Sequence, residues 1–114
     1  MSTRVVALVD DLMDRSRLGV LGAVTWAASA EAAAELTGDG LPTTFVVDLT
    51  RFASQVAVLR DLAPTGLIVA FGPHVDASLL ADAAAAGADR VLPRSRFFAD
   101  PASALAPDRG SARA

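Results

Sequence analysis

Three aspartates stand in the sequence where they could act together on one ligand. Asp10 and Asp11 follow the apolar run 5–9, and Asp48 ends a second run of the same kind, 43–48, which begins with two threonines. Runs this short and this apolar are typical of strands that are buried on both faces of a parallel sheet. Because ligands in open α/β folds bind at the carboxyl ends of such strands, neighbouring strands would bring the three carboxylates into one acidic pocket. Carboxylates this close repel one another and need a cation, for which hard oxygen ligands favour Mg²⁺.

The composition restricts the classes of function. The chain has 114 residues, 53% of them hydrophobic, which suits one domain with a substantial core. Ten arginines against thirteen acidic residues leave a net charge of −3, which favours neither nucleic acid nor an anionic membrane as a partner. The absence of cysteine excludes disulfides and thiolate metal sites and is in keeping with a reducing cytosol. We expect neither a signal peptide nor a membrane span, since the sequence has no charged-then-apolar leader and no apolar run of 18 residues.

Strand and helix patterns alternate along the chain and predict a doubly wound, five-stranded parallel sheet with helices on both faces. The predicted strands are residues 5–9, 23–26, 43–48, 66–71 and 89–92. Residues 101–105 could form one or two helical turns, and the tail at 107–114 is predicted to be disordered, so the domain is placed at 1–106. The first predicted helix ends at Gly22 and should turn Leu12, Leu18 and Leu21 toward the core. A second should bury Phe52, Val56, Leu59 and Leu62. A third, between a cap at Asp76 and a stop at Gly87, should bury Leu79, Leu80, Ala83 and Ala84.

The acid pair after the first strand, the single acid after the third and the Ala-Gly-Ala-Asp turn at 86–89 resemble the receiver (CheY-like) domain of response regulators. The resemblance covers roughly residues 4–98. It implies the strand order 2-1-3-4-5, with Asp10, Asp11 and Asp48 as ligands of Mg²⁺ and Asp48 as the acceptor of a phosphoryl group. The metal and a basic residue would neutralise the phosphoryl group during its in-line transfer to the carboxylate.

Two other positions differ from the receiver pattern. The fourth strand of a receiver ends in a Thr or Ser, whereas this chain has Phe71-Gly72, and the Lys-Pro after the fifth strand is replaced by Arg94-Ser95. Arg94 keeps the positive charge of the lysine, but a planar guanidinium does not replace a compact ammonium. Arg94 could instead pair directly with Asp48 and hold the pocket neutral without a metal. The resemblance is therefore to an atypical receiver with weak Mg²⁺ binding and altered switch residues.

Each of these features also has a purely structural interpretation. The three aspartates could be strand-end and helix-capping acids, and Arg94 could be a loop cation in solvent. His74 is interpreted as a helix-start residue bonded to the backbone, with a metal ligand or a pH-sensitive contact as the alternative. Arg15 is assigned to a solvated helix face, with the pocket rim as the alternative. The aromatic residues assigned to core and edge packing are Trp26, Phe97 and Phe98.

Two functional hypotheses follow. The first is a cytoplasmic single-domain receiver that acts through contacts with other signalling proteins, a histidine kinase or a downstream target, with or without phosphorylation of Asp48. The second is a divergent metal- or small-ligand-binding domain on the same fold, with no role in a phosphorelay. An enzyme is not expected, because the chain lacks the Asp-x-Asp spacing and the lysine of haloacid dehalogenase phosphatases and offers its one histidine no evident nucleophile. The sequence leaves the oligomeric state open.

Overall fold

Five parallel strands form the centre of the molecule in the computed structural model, which describes residues 4–37 and 40–106. Their order is β2-β1-β3-β4-β5, which confirms the predicted doubly wound sheet. The predicted tail at 107–114 lies outside the described residues. The strands are β1 (Arg4–Leu8), β2 (Val24–Trp26), β3 (Thr43–Asp48), β4 (Leu67–Gly72) and β5 (Arg90–Pro93). The helices are α1 (Leu12–Gly19), α2 (Ala30–Glu35), α3 (Leu49–Phe52), α4 (Gln55–Leu62), α5 (Ala77–Ala86), α6 (Arg94–Ala99) and α7 (Pro101–Leu105).

The alternation of side chains along the central strands divides the core into two clusters. Phe45 and Val47 of β3 lie in the cluster under α2, α4 and α5, whereas Val46 between them faces the cluster under α1, α6 and α7. All six residues of β3 are buried, as expected for a central strand covered on both faces. Leu8 pairs with Val47, so β1 and β3 end at the same edge of the sheet.

The first helix differs from the prediction. It ends at Gly19 rather than at Gly22, and Leu12 is 79% exposed instead of facing the core. Asp11 is the N-cap, which makes Leu12 the first helical residue, and six residues of helix rotate it away from the buried Leu18. The position one turn before Leu18 is Asp14, so a carboxylate occupies the core-facing stripe of α1.

The single helix predicted across Phe52 and Leu62 is two helices. The chain turns between α3 and α4, and Leu62 at the end of α4 is exposed while Val56 and Leu59 are buried. The separate short helix α3 arises because Asp48 caps it directly at the end of β3.

The later helices agree better with the sequence pattern. Asp76 caps α5, and Gly87 ends it in the left-handed region at φ 120°, which glycine adopts without strain. Ala84 is exposed rather than inward-facing, but Ala83 is buried as predicted. The sequence did not predict α6, whereas α7 occupies the predicted residues 101–105. The longest described helix has ten residues, so none of the described helices could cross a membrane.

Candidate functional site

A cleft of about 260 Å³ opens at the carboxyl ends of β1 and β3. It contains all four residues predicted for the site: the three aspartates and the arginine proposed to replace the receiver lysine. Three further side chains complete its wall. The lining residues are Asp10, Asp11, Asp14, Asp48, Thr50, Arg51 and Arg94.

Two of the predicted aspartates also cap helices. Asp11 Oδ1 accepts hydrogen bonds from the backbone N–H groups of Met13, at 2.9 Å, and Asp14, at 3.0 Å. Asp48 Oδ1 accepts one from the N–H of Thr50 at 3.0 Å. The capping interpretation is confirmed for these residues, and it is compatible with a role in the site, because a carboxylate that caps the helix after a strand is fixed at the edge of the sheet.

Asp48 is the most central of the predicted acids. It ends the middle strand of the sheet and is only 4% exposed. Burial raises the pKa of Asp48 above its ordinary value, and the nearby Asp14 carboxylate adds to this, while the hydrogen bonds from Thr50 and the charge of Arg94 act in the opposite direction. The cleft therefore holds an acid whose charge is poorly compensated by its own surroundings.

Asp10 lies at the open rim of the cleft. Its Oδ2 accepts a hydrogen bond from Arg51 Nη2 at 2.9 Å, and both side chains are largely in solvent. Arg51 belongs to α3, the helix that Asp48 caps, so the strand-to-helix turn positions this arginine across from β1. An ion pair this exposed contributes little to stability, and a bound cation could displace it easily.

Arg94 does not pair with Asp48. Its Nη2 donates instead to Oδ1 of Asp14, and the two form an ion pair in the wall of the cleft. Asp14 is fully buried, and its Oδ2 has no hydrogen-bond partner among the described residues. The predicted bridge between Arg94 and Asp48 is thus wrong, because a carboxylate on the core-facing stripe of α1 takes up the guanidinium.

Aromatic rings support the same guanidinium. Arg94 lies over the rings of Phe71 at 5.7 Å and Phe98 at 5.2 Å. Phe97 stacks on Phe71 with ring centroids 4.8 Å apart and packs edge-on against Phe98. This cluster confirms packing roles for Phe97 and Phe98, and the aromatic faces add a favourable electrostatic contact to the Asp14 pair.

A larger cavity of about 410 Å³ lies at the opposite end of the sheet, near the starts of β3 and β4. None of the described residues that line it is ionisable, so those residues offer no acid, base or carboxylate ligand. Residues on its wall include Thr37, Leu41, Thr43, Phe45, Leu62 and Thr65. The smaller cleft is therefore the better candidate site on chemical grounds.

Comparisons with known proteins detect similarity in structure only. No family model and no curated protein matches the sequence. The fold is similar to a crystallised response regulator protein from Burkholderia pseudomallei, with a TM-score of 0.67 and 21% identity over 99% of this chain and 71% of that one. It is also similar to the beryllofluoride-activated NtrC4 receiver domain dimer, with a TM-score of 0.65 and 15% identity over 92% of this chain and 97% of that one.

The chain has the receiver-domain fold. On this fold the cleft occupies the edge where the acid pair and the single acid were predicted to meet. Phe71 and Gly72 occupy the end of β4, where the receiver pattern expects a hydroxyl. Phe71 pairs in register with Asp48 but packs into the aromatic cluster, and a Cβ at Gly72 would lie 3.3 Å from Leu80 Cδ2 and 3.4 Å from Leu49 Cβ. Packing at this end of β4 therefore leaves little room for a larger side chain.

The carboxylates of the cleft do not form a ready-made ligand set on this receiver fold. No group of three or more His, Asp or Glu side chains among residues 4–37 and 40–106 is arranged to hold a metal ion. The donor chemistry nevertheless suits a hard divalent cation, because the four carboxyl groups and two guanidiniums that line the cleft carry a formal charge of −2. The predicted ligands Asp10, Asp11 and Asp48 meet at one site, and their binding of a metal stays a prediction.

Sequence reasoning missed Asp14 and Arg51. One sequence signal pointed to Asp14, which lies four residues before Leu18 on one stripe of the helix, but that spacing does not identify its partner. Arg15 was also misassigned: its Nε donates to the carbonyl of Val9 at 2.7 Å, and its guanidinium lies 5.1 Å from the centre of the Trp26 ring. His74 is exposed and does not line the cleft.

Proposed function

We propose that this chain is an atypical receiver domain that acts in signal transduction through contacts with other proteins and can accept a phosphoryl group at Asp48. The observation that carries the proposal is the placement of Asp48, which is buried at the end of the central strand with Asp10, Asp11 and Arg94 lining the same cleft. We further propose a cytoplasmic location, no enzymatic activity of its own, and other signalling proteins rather than nucleic acid or membrane as partners.

The residues that would hold a divalent cation are Asp10, Asp11 and Asp48. The cation would supply charge neutralisation for a phosphoryl group approaching Asp48. The Burkholderia pseudomallei neighbour was crystallised with a phosphorylated aspartic acid and a calcium ion, which supports both parts of the proposal by analogy. Binding is proposed to be weak, because Asp10 is engaged by Arg51 while Asp11 and Asp48 accept backbone N–H groups.

Phosphorylation would make a new bond between a carboxylate oxygen of Asp48 and phosphorus as the bond from phosphorus to the donor's leaving group breaks. The side chains around Asp48 can bind and orient the group: Arg94 and Arg51 offer positive charge, and the backbone N–H of Thr50 holds the carboxylate. The usual switch is proposed to be lost, because neither Phe71 nor Gly72 offers a hydroxyl that could follow the phosphoryl group.

Intact-mass measurement with acetyl phosphate and Mg²⁺ tests the proposal directly. The wild-type protein is expected to gain the mass of one phosphoryl group, and the Asp48→Asn variant is expected to gain none. Asp82→Asn on α5, outside the cleft, serves as the control for loss of a carboxylate. Modification that persists in Asp48→Asn, or none in the wild type, would contradict the assignment of Asp48.

The second candidate is a metal- or small-ligand-binding domain on the receiver fold. It is favoured by the formal negative charge of the cleft together with the aromatic packing at the end of β4. Calorimetry with Mg²⁺ or Ca²⁺ in the absence of a phosphodonor separates the two candidates. Tight binding of the cation without any phosphorylation would favour this second function.

A further inference from the structure

We propose that Asp14 is a positioning residue that holds Arg94 away from Asp48 until a phosphoryl-like anion occupies the cleft. The inference rests on the proposed function, because it takes Asp48 as the acceptor. It assigns a role to Asp14, which is not among the aspartates that the receiver resemblance marks. It also implies that Arg94, directly after β5, exchanges its ion pair with Asp14 for one with the phosphoryl group.

The position of Asp14 is fixed by its place on α1. It lies on the same helical stripe as Leu18, is fully buried, and accepts from Arg94 through Oδ1. Its Oδ2 has no partner among the described residues, so Arg94 provides the only side-chain hydrogen bond that this carboxylate receives there. A buried carboxylate with so little other compensation holds its one cation strongly.

Arg94, in contrast, is able to move. It begins α6, and its side chain is partly exposed at the mouth of the cleft. Within the described part of the chain, one of its five N–H donors is used, by Asp14, and its remaining contacts are with the faces of Phe71 and Phe98. A guanidinium can slide over aromatic faces and keep part of that contact. The other donors are therefore available to an anion in the cleft.

Competition between two anions follows from this arrangement. Unmodified Asp48 carries at most one negative charge and already accepts the N–H of Thr50, so it does not draw Arg94 from Asp14. A phosphoryl group adds charge and three acceptor oxygens, which guanidinium binds well. When Arg94 turns to that group, Asp14 loses its counter-ion, and this cost weakens binding of the phosphoryl group. Asp14 would thus set the threshold for occupying the cleft.

The affinity for beryllofluoride in the presence of Mg²⁺ measures this threshold. Asp14→Asn keeps the shape and an acceptor oxygen but removes the competing charge, and we expect it to bind beryllofluoride about tenfold more tightly, the effect of one charge-assisted hydrogen bond. If Asp14 acts through Arg94, the same substitution in an Arg94→Gln background should have a much smaller effect, limited to the direct repulsion between Asp14 and the anion. A gain of the same size in that background, or no gain with Arg94 present, would overturn the proposal.

Two measurements keep the test decisive if Asn is poorly tolerated. Asp14→Leu places an apolar side chain on a stripe that already carries Leu18, and it should also tighten binding. Without any ligand, the ¹⁵N signals of the Arg94 guanidinium should shift on loss of Asp14 while the backbone signals of β1 stay in place; unchanged guanidinium signals would contradict the proposal. A wild-type protein that binds no beryllofluoride would overturn the proposed function itself, whereas binding that Asp14→Asn does not improve overturns only the role of Asp14.

Discussion

Two arginine–aspartate pairs line the same cleft and differ in how deeply they lie. The side chains of Arg51 and Asp10 are 63% and 49% exposed, whereas those of Arg94 and Asp14 are 41% and 0% exposed. The first pair joins α3 to the end of β1, and the second joins α6 to the core-facing side of α1. Each pair has the same charges, so the two differ chiefly in burial and in the aromatic rings that contact Arg94.

The exposed pair can open at little cost, since water replaces each partner. Opening the buried pair costs more, because Asp14 would lose its counter-ion in a place that water barely reaches. We therefore interpret Arg51 and Asp10 as an ion pair at the rim that opens readily for a ligand, and Arg94 and Asp14 as an internal ion pair that opens only when a strong anion competes for Arg94. This interpretation leads to three predictions, which decrease in expected effect.

The largest expected difference between the two pairs is the loss of unfolding free energy when the arginine is removed. Arg94→Ala leaves Asp14 without its counter-ion and is expected to lower the free energy of unfolding by about 2–3 kcal/mol, somewhat less than for a fully buried pair because Arg94 itself is partly exposed. Arg51→Ala, the matched control, should cost less than about 0.5 kcal/mol. Denaturant unfolding of both variants measures the difference. Equal losses would show that burial does not distinguish the pairs.

Removal of either arginine should raise the affinity of the cleft for divalent cations, but by different amounts. Removing Arg94 takes a positive charge from the cleft and frees Asp14, so Arg94→Ala should bind Mg²⁺ about tenfold more tightly, or about 1.4 kcal/mol. Removing Arg51 frees only the exposed Asp10, and a gain of about two- to fivefold is expected. Calorimetric titration gives both affinities. Unchanged affinity in Arg94→Ala would mean that its charge does not reach the metal ligands.

The sequence pattern was sufficient to predict the parallel sheet and the placement of the three aspartates at one edge of it. Residues 43–48 form a fully buried strand, and their pattern, with that of 5–9, correctly brought Asp10, Asp11 and Asp48 to one edge. Parallel strands buried on both faces give continuous apolar runs, which are hard to mistake, and a carboxylate after such a run has few other places to lie.

The partner of Arg94 could not be derived in the same way. Four carboxylates line the cleft with Arg94, and only the rotation of α1, set by the cap at Asp11, decides that Asp14 faces the core. Helix ends are the least certain part of a pattern, and a shift in the start of α1 would rotate every later side chain. The missed break between α3 and α4 has the same origin, because capping by Asp48 starts a helix that apolar spacing alone does not indicate.

The smallest predicted effect concerns Asp48, which lies in the cleft but in neither ion pair. Burial raises its pKa above the ordinary value of 3.8. At lower pH the carboxyl is protonated in the folded and the unfolded protein alike, but as the pH rises the unfolded chain loses its proton first. The wild-type protein should therefore lose stability between pH 3.8 and the raised pKa, and lose no more from this group above it.

Asp48→Asn cannot titrate and keeps the shape of the side chain, so its stability relative to the wild type should rise across that same range of pH and then stay constant. Thermal unfolding of both proteins from pH 3 to pH 8 measures the difference, with Asp82→Asn as the control for loss of an exposed acid. A relative stability that falls as the pH rises would mean that the folded cleft lowers the pKa of Asp48. In that case the charge of Arg94 would stabilise ionised Asp48 more strongly than its hydrogen bond to Asp14 indicates. Arg94 and Arg51 would then both neutralise acids of the cleft, despite their different burial.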